Sequence, residues 1–251
     1  MRDLLAKRQA QSRLRRLTIS PHGSADFSSN DYLGLSKCPD LRTLFLQELA
    51  KDPLFPFGSG GSRLLDGNSI YAEQLEEDIA AFHGAPAGLL FNSGFDANAG
   101  LFSCVPQPTD LVIYDEYIHA SVHEGMRLSR TESRVPFKHN SVDELQKILA
   151  FQIAQDQEIE AGRRGVFIAV EAVYSMDGDV APLSEIVDIV KRLVPRKNGF
   201  IIVDEAHSTG IFGLGGRGLV SELGLEDQIF ARLHTFGKAL SCSGGMVPTP
   251  N

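Results

Sequence analysis

Cysteine is scarce in this sequence: Cys38, Cys104 and Cys242 lie far apart, without the paired spacing of a zinc site. An odd, sparse count excludes a disulfide scaffold and fits a reducing compartment. Basic residues are also outnumbered, 24 Lys and Arg against 32 Asp and Glu, for a net charge of −8. That balance excludes nucleic acid as a main partner, which would need a basic face. No apolar run approaches the length that spans a bilayer, so no membrane role is expected. Internal repeats and low-complexity segments are missing too. What is present is globular in character. Hydrophobic residues make up 43 % of the 251 and charged residues 22 %, enough for a core and one large domain. Met1 to Leu17 is basic and reads as a helix, while Asp3 and the lack of a serine-rich tail argue against a targeting presequence.

Taken in order, Ala25 to Ser29 is predicted as a short strand leading into Asn30-Asp-Tyr-Leu-Gly-Leu35. Pro39 opens an amphipathic helix with Leu41, Leu44, Phe45 and Leu49 on one face. Phe57 to Arg63 is glycine-rich, and Ser69 can cap a helix from Ile70 to Phe82. From Ala87 onward the pattern alternates. Strands are predicted at Ala87–Phe91, Asp110–Tyr114, Arg134–Phe137, Gly165–Val170, Gly199–Val203 and Ile229–His234, and the segments between most of them read as helices. Pro136 places its strand at an edge. Such alternation means an α/β fold with a mostly parallel, doubly wound sheet and right-handed crossovers.

In that architecture, ligands bind where loops leave the carboxyl ends of the strands. The loops offer Ser93-Gly94-Phe95, then Asp115, Glu116 and His119, then Glu171 and Ser175-Met-Asp-Gly-Asp179. The last two offer Asp204, His207, Thr235 and Lys238. Each has a plain alternative: Ser93 a helix cap, His119 a surface imidazole, Ser175 a turn residue, Asp204-Glu205 a metal-binding acid pair. An acid, a histidine and a lysine at neighbouring strand ends suit a carbonyl-bearing aromatic cofactor. Lysine would form a Schiff base and the acid would keep a ring nitrogen protonated, the pattern expected for pyridoxal phosphate. Neither Gly58–Arg63 nor Gly213–Gly218 fits a Walker or dinucleotide spacing.

The same motifs resemble the α-oxoamine synthase family of fold-type I pyridoxal-phosphate enzymes. They are Phe27-Ser-Ser-Asn-Asp-Tyr-Leu-Gly-Leu35, Gly58-Ser-Gly-Gly-Ser-Arg63, Ser93-Gly-Phe95 with Asn98, and His119-Ala-Ser121. Ser175-Met-Asp-Gly-Asp179, Asp204-Glu-Ala-His-Ser-Thr-Gly210 and Thr235-Phe-Gly-Lys238 complete the set. The serine at the second position of Gly58–Arg63 looks more like the biotin-synthesis branch than the 5-aminolevulinate branch. The resemblance implies a homodimer that condenses an amino acid with an acyl-CoA thioester and releases carbon dioxide. In the biotin branch these substrates are L-alanine and pimeloyl-CoA. It further implies that Lys238 carries the cofactor and then removes the amino acid's α-proton, while Asp204 pairs with the ring nitrogen. His207 and Ser175 would bond the ring hydroxyl, and His119 would cover the ring face. Gly94, Phe95 and Thr235 would hold the phosphate, with Arg15, Asn30 and His119 on the substrate side. Residues 1–36 would then be an N-terminal helix and arm, 37–247 the cofactor-binding major domain, and 248–251 an aberrant tail.

Two departures stand out. Ala72 occupies a position where relatives often carry histidine. Relatives also continue far past the lysine, through a central strand, a C-terminal domain and an arginine for the substrate carboxylate. Here Pro248 and Pro250 are expected to bar that strand, leaving the sheet incomplete and apolar surface bare. A C-terminally truncated chain is therefore expected, with a non-catalytic homologue pairing with a complete subunit as the alternative. A cytoplasmic location is expected, with peroxisome or mitochondrion as alternatives.

Overall fold

A computed structural model describes residues 2–19 and 21–249. It is organised on one seven-stranded sheet in the order β1-β7-β6-β5-β4-β2-β3. The elements follow in sequence as α1 (Arg2–Ala10), α2 (Pro39–Ala50), α3 (Ile70–Phe82), β1 (Ala87–Phe91), α4 (Gly94–Cys104), β2 (Leu111–Asp115), α5 (Ala120–Leu128) and β3 (Ser133–Phe137). Then come α6 (Val142–Gln155), α7 (Gln157–Glu160), β4 (Val166–Glu171), α8 (Leu183–Leu193), β5 (Gly199–Asp204), α9 (Leu219–Glu222), β6 (Ala231–Thr235) and β7 (Gly245–Thr249).

The α/β expectation is met, and its physical basis is visible. Strands β2, β4 and β5 are almost continuously apolar because both their faces are covered. One face packs Ile113, Ile168, Ile201 and Val203 against Leu145, Leu149, Ile186 and Val190 from α6 and α8. The other packs Val112, Phe167, Ala169 and Ile202 against Ala97, Phe102, Val122 and Met126 from α4 and α5. Strand β3, with Pro136, lies at the edge as predicted. Helix α6 stops at Gln155, because Asp156 turns extended and caps the short α7.

Two expectations fail. Ala25–Ser29 is no strand: the Asp26 carboxylate takes the N–H groups of Ser28 and Ser29 in a local turn. Pro248 does not bar the last strand. Strand β7 runs antiparallel to β1 through five residue pairs, Gly88 lying opposite Pro248, and pairs with β6 only at Met246 and Gly245. The Phe236 N–H goes to the Gly244 carbonyl, so even-numbered residues of β7 face β6. The donor that proline lacks therefore points where the β6 ladder has already ended. The sheet is not short of a member.

Helix α2 forms as predicted, but Leu41, Leu44, Phe45 and Leu49 on its apolar side are 37–62 % exposed. Among the described residues no helix is long and apolar enough to cross a membrane.

A buried pair of imidazoles joins α3 to β6. The rings of His83 and His234 stack with centroids 3.7 Å apart; His83 Nδ1 lies 3.1 Å from the Arg217 carbonyl and His234 Nδ1 2.8 Å from Thr209 Oγ1. Burial, then the charge of Arg232, holds His83 down to about 4; burial holds His234 well below its ordinary value. Both are neutral when folded, yet they titrate near 6.5 when unfolded, so the unfolded chain binds more protons below that pH. The contribution of His83 to stability is complete above about pH 6.5 and is lost as pH falls towards 4, and that of His234 is lost in the same direction. Glu171, raised to about 8 by burial and then by Asp204, works in the opposite direction. A comparison with His83→Gln isolates the imidazole. Between about pH 7.5 and 5.5, urea unfolding should show wild type losing roughly 1.4 kcal/mol more than the variant. Equal losses would mean His83 is not held neutral.

Candidate active site

The ends of β4, β5 and β6 bring three ionisable residues together. Asp204 closes β5 and is 5 % exposed; its Oδ1 accepts the Ala206 N–H at 2.9 Å and its Oδ2 accepts the Asn98 amide at 2.7 Å. Asn98, one turn into α4, also donates to Ser121 Oγ at 3.0 Å, and that oxygen lies 2.7 Å from His119 Nδ1. Helices α4 and α5 thereby tie the carboxylate to the imidazole at the mouth of the crevice. Lys238 follows β6, half-buried, with Nζ 2.7 Å from His207 Nε2. Glu171 ends β4 directly beside Asp204 in register.

The electrostatics follow from this crowding. Desolvation lowers the Lys238 pKa despite the opposing fields of Asp204 and Glu171, so the nucleophilic amine form is more accessible than in water. Burial, then the charges of Lys238 and His119, brings His207 down to about 4. Burial also lowers His119. Glu171 is a protonated acid at neutral pH, since burial and the charge of Asp204 raise it to about 8. A desolvated amine, two neutral imidazoles and one buried carboxylate suit carbonyl capture and subsequent proton transfer.

The N-terminus of α4 supplies a second feature. Ser93 caps the helix by accepting the Asp96 N–H at 3.1 Å. Gly94 lies so close to β6 that a Cβ there would meet the Thr235 Cβ at 3.0 Å and Oγ1 at 3.1 Å. Only glycine allows the helix terminus this approach, and that terminus with a hydroxyl beside it suits an anion. The Phe95 ring stands edge-on to His119, centroids 6.2 Å apart.

A family model described as aminotransferase class I and II matches residues 24–250. The chain belongs to that family. It is 59 % identical over 248 residues to an 8-amino-7-oxononanoate synthase of Emericella nidulans, covering 98 % of this chain and 60 % of that protein. This likeness bears out the resemblance to the α-oxoamine synthases. Among solved structures, serine palmitoyltransferase of Sphingomonas wittichii is similar at TM-score 0.77 and 32 % identity, over 89 % of this chain and 52 % of that one. A serine palmitoyltransferase solved with pyridoxal phosphate is similar at TM-score 0.77 and 33 % identity, over 89 % and 52 %. This aminotransferase-family chain thus spans about half to three-fifths of the length of these relatives.

Of the residues singled out in the sequence, the structure joins Lys238 to His207 by a direct hydrogen bond and Asp204 to His119 through the Asn98–Ser121 bridge, and the charge of Asp204 acts on Lys238 across the two sets. Gly94, Phe95 and Thr235 are neighbours beside them. Ser175 lies in the exposed turn after β4 and makes no side-chain hydrogen bond among the described residues, so its plain reading as a turn residue describes its contacts. Arg15 is exposed in the N-terminal segment and is not brought to the crevice. Asn30 reaches it through Tyr32, whose hydroxyl is 3.0 Å from Asn30 Oδ1 and 2.7 Å from His207 Nδ1. Tyr32 and Ser121 were not given roles from the sequence, nor was Asn98. The signals were present: Tyr32 and Ser121 sit inside quoted motifs, and Asn98 follows Gly94 by one helical turn.

Proposed function

We propose that this chain binds pyridoxal 5'-phosphate between β5 and β6. We further propose that it serves the condensation of L-alanine with pimeloyl-CoA in biotin synthesis, with loss of carbon dioxide and the CoA thiol. The observation that carries the reading is the desolvated Lys238 amine, 2.7 Å from a neutral histidine and in the field of the buried Asp204 carboxylate. The close fit of α4 at Gly94 and Thr235, and the 59 % identical relative, point the same way.

When bound, the cofactor supplies an electron sink that lets the amino acid's α-carbon act as a nucleophile. The residues have separate tasks. Lys238 Nζ would hold the cofactor at its carbonyl carbon and would be the base for the amino acid's α-proton. Asp204 holds a proton on the ring nitrogen, and Asn98 and the Ala206 N–H keep its oxygens aimed. His119 covers the ring face near the substrate carboxylate, while His207 and Ser175 serve the ring hydroxyl. The Gly94 and Phe95 amides with the Thr235 hydroxyl hold the phosphate. Asn30 is assigned to the substrate side, which it reaches through Tyr32; Arg15, outside the crevice, is given no role. A homodimer in the cytoplasm completes the proposal. Its support is the uncovered apolar surface of Phe57, Leu64, Leu65 and Ile70, each at least 80 % exposed.

Titration with pyridoxal phosphate tests the reading. An absorbance band near the visible edge, removed by borohydride, is expected in the wild type and not in Lys238→Ala. With pimeloyl-CoA, release of the CoA thiol should then be faster with alanine than with serine or glycine. Identical spectra from the two proteins would overturn the cofactor assignment, and a preference for serine would overturn the amino-acid assignment.

A further inference from the structure

The N-terminal arm places a pair of side chains behind His207. The Tyr32 hydroxyl is 2.7 Å from His207 Nδ1 and 3.0 Å from Asn30 Oδ1, while His207 Nε2 is 2.7 Å from Lys238 Nζ. Four groups share a limited supply of protons. An amide oxygen only accepts, a phenol has one proton, and a neutral imidazole has one N–H and one lone pair. Burial raises the Tyr32 pKa, so the phenol keeps its proton. One arrangement satisfies every contact. Tyr32 donates to Asn30 and accepts from an Nδ1–H of His207, which leaves the Nε2 lone pair facing Lys238. In the reverse arrangement Tyr32 donates to Nδ1, Asn30 Oδ1 loses its partner, and an Nε2–H points at Nζ.

We propose that Asn30 and Tyr32 are positioning residues that fix His207 in its Nδ1–H tautomer. Nε2 then accepts an N–H from Lys238 and turns the lone pair of the amine away from the imidazole, towards the crevice. Asn30 sets the direction of the chain and Tyr32 transmits it. The consequence for catalysis rests on the reading of Lys238 as the carbonyl-binding lysine, whereas the tautomer itself can be measured without any cofactor.

Long-range proton–nitrogen correlation spectra of the ¹⁵N-labelled 251-residue chain report the tautomer, with His207→Gln assigning the ring. The Nδ1–H form is expected in the wild type. In Asn30→Leu the phenol has no amide oxygen to serve, so it donates to Nδ1 and the ring switches to Nε2–H. In Tyr32→Phe neither direction is imposed, and both forms should be present. Asn30 is exposed and Tyr32 about half exposed, at 47 %, so the fold should survive these changes. Labelling of Lys238 by trinitrobenzene sulfonate gives a second readout. In Asn30→Leu the Nε2–H engages the amine's lone pair, so the plateau rate at high pH should fall about fivefold, the worth of one hydrogen bond. The midpoint should move to lower pH, because a donor facing the ammonium disfavours the charged form. A merely loosened site would instead expose the lysine, speeding its labelling and raising the midpoint. An Nε2–H tautomer in the wild type, or no change of tautomer in Asn30→Leu, would overturn the proposal. An intact tautomer pattern in a protein that binds no pyridoxal phosphate would refute the cofactor reading alone.

Discussion

Asp204→Asn is expected to lower turnover by about three powers of ten, a loss of ~4 kcal/mol in barrier reduction. The side chain keeps its shape, so packing is not the cause. Its Oδ1 and Oδ2 accept from the Ala206 N–H and the Asn98 amide. An asparagine can accept at one of those positions only; at the other its NH₂ faces another donor. More importantly, the negative charge that would hold a proton on the cofactor's ring nitrogen is gone, and the buried position gives water little chance to replace it. Cofactor capture at Lys238 should persist, because the lysine and His207 are untouched. Steady-state release of the CoA thiol, measured beside the absorbance band, separates the two. A variant with near-normal turnover would show that Asp204 is structural.

The largest loss of stability is expected one residue away, from Glu205→Ala. Glu205 is fully buried, and its carboxyl accepts from the N–H groups of Leu219 and Val220 at 2.7 and 3.0 Å and from the Ser208 hydroxyl. It anchors the start of α9 and the loop that returns from β5. Gly218 makes this packing achievable, since a Cβ there would lie 2.1 Å from Glu205 Oε2 and the residue holds φ +105°. Alanine at 205 would strand two buried N–H donors, leave the Ser208 hydroxyl only the residue's own backbone carbonyl, open a cavity, and remove the carboxyl that favours the buried Arg232. Each stranded donor costs on the order of 1–3 kcal/mol, so about 4 kcal/mol is expected in total. That is a large part of the stability of an ordinary domain. Urea unfolding should show it, and Ser221→Ala, half-buried on the same helix, should show almost none. Equal midpoints for Glu205→Ala and wild type would mean the carboxyl network contributes nothing.

These two neighbours show what was legible in the sequence. Asp204 could be read because it ends an apolar strand and a lysine follows the next, and the sheet edge collects such residues whatever the details. Glu205 gave no such signal, because its partners on α9 lie fourteen and fifteen residues away and are backbone groups. The central strands were readable for the same local reason: Val166–Glu171 and Gly199–Asp204 are runs of residues that must be covered on both faces. Ala25–Ser29 was misread because a turn made by the Asp26 side chain outweighed a weak strand pattern. Strand β7 was misjudged because the cost of Pro248 depends on which neighbour its missing donor faces, a matter of register that sequence does not display. The bridge from Asp204 through Asn98 and Ser121 to His119 also arises only when α4 and α5 pack together. The types of its members were in the motifs; their order in the chain of hydrogen bonds was not.

The most direct measurement is where a reduced cofactor ends up. Purified protein would be incubated with pyridoxal phosphate, treated with borohydride, digested and mapped by mass spectrometry. The phosphopyridoxyl mass is expected on the peptide containing Lys238, at near one per chain. An adduct spread over other lysines, or none on Lys238, would contradict the site proposed between β5 and β6.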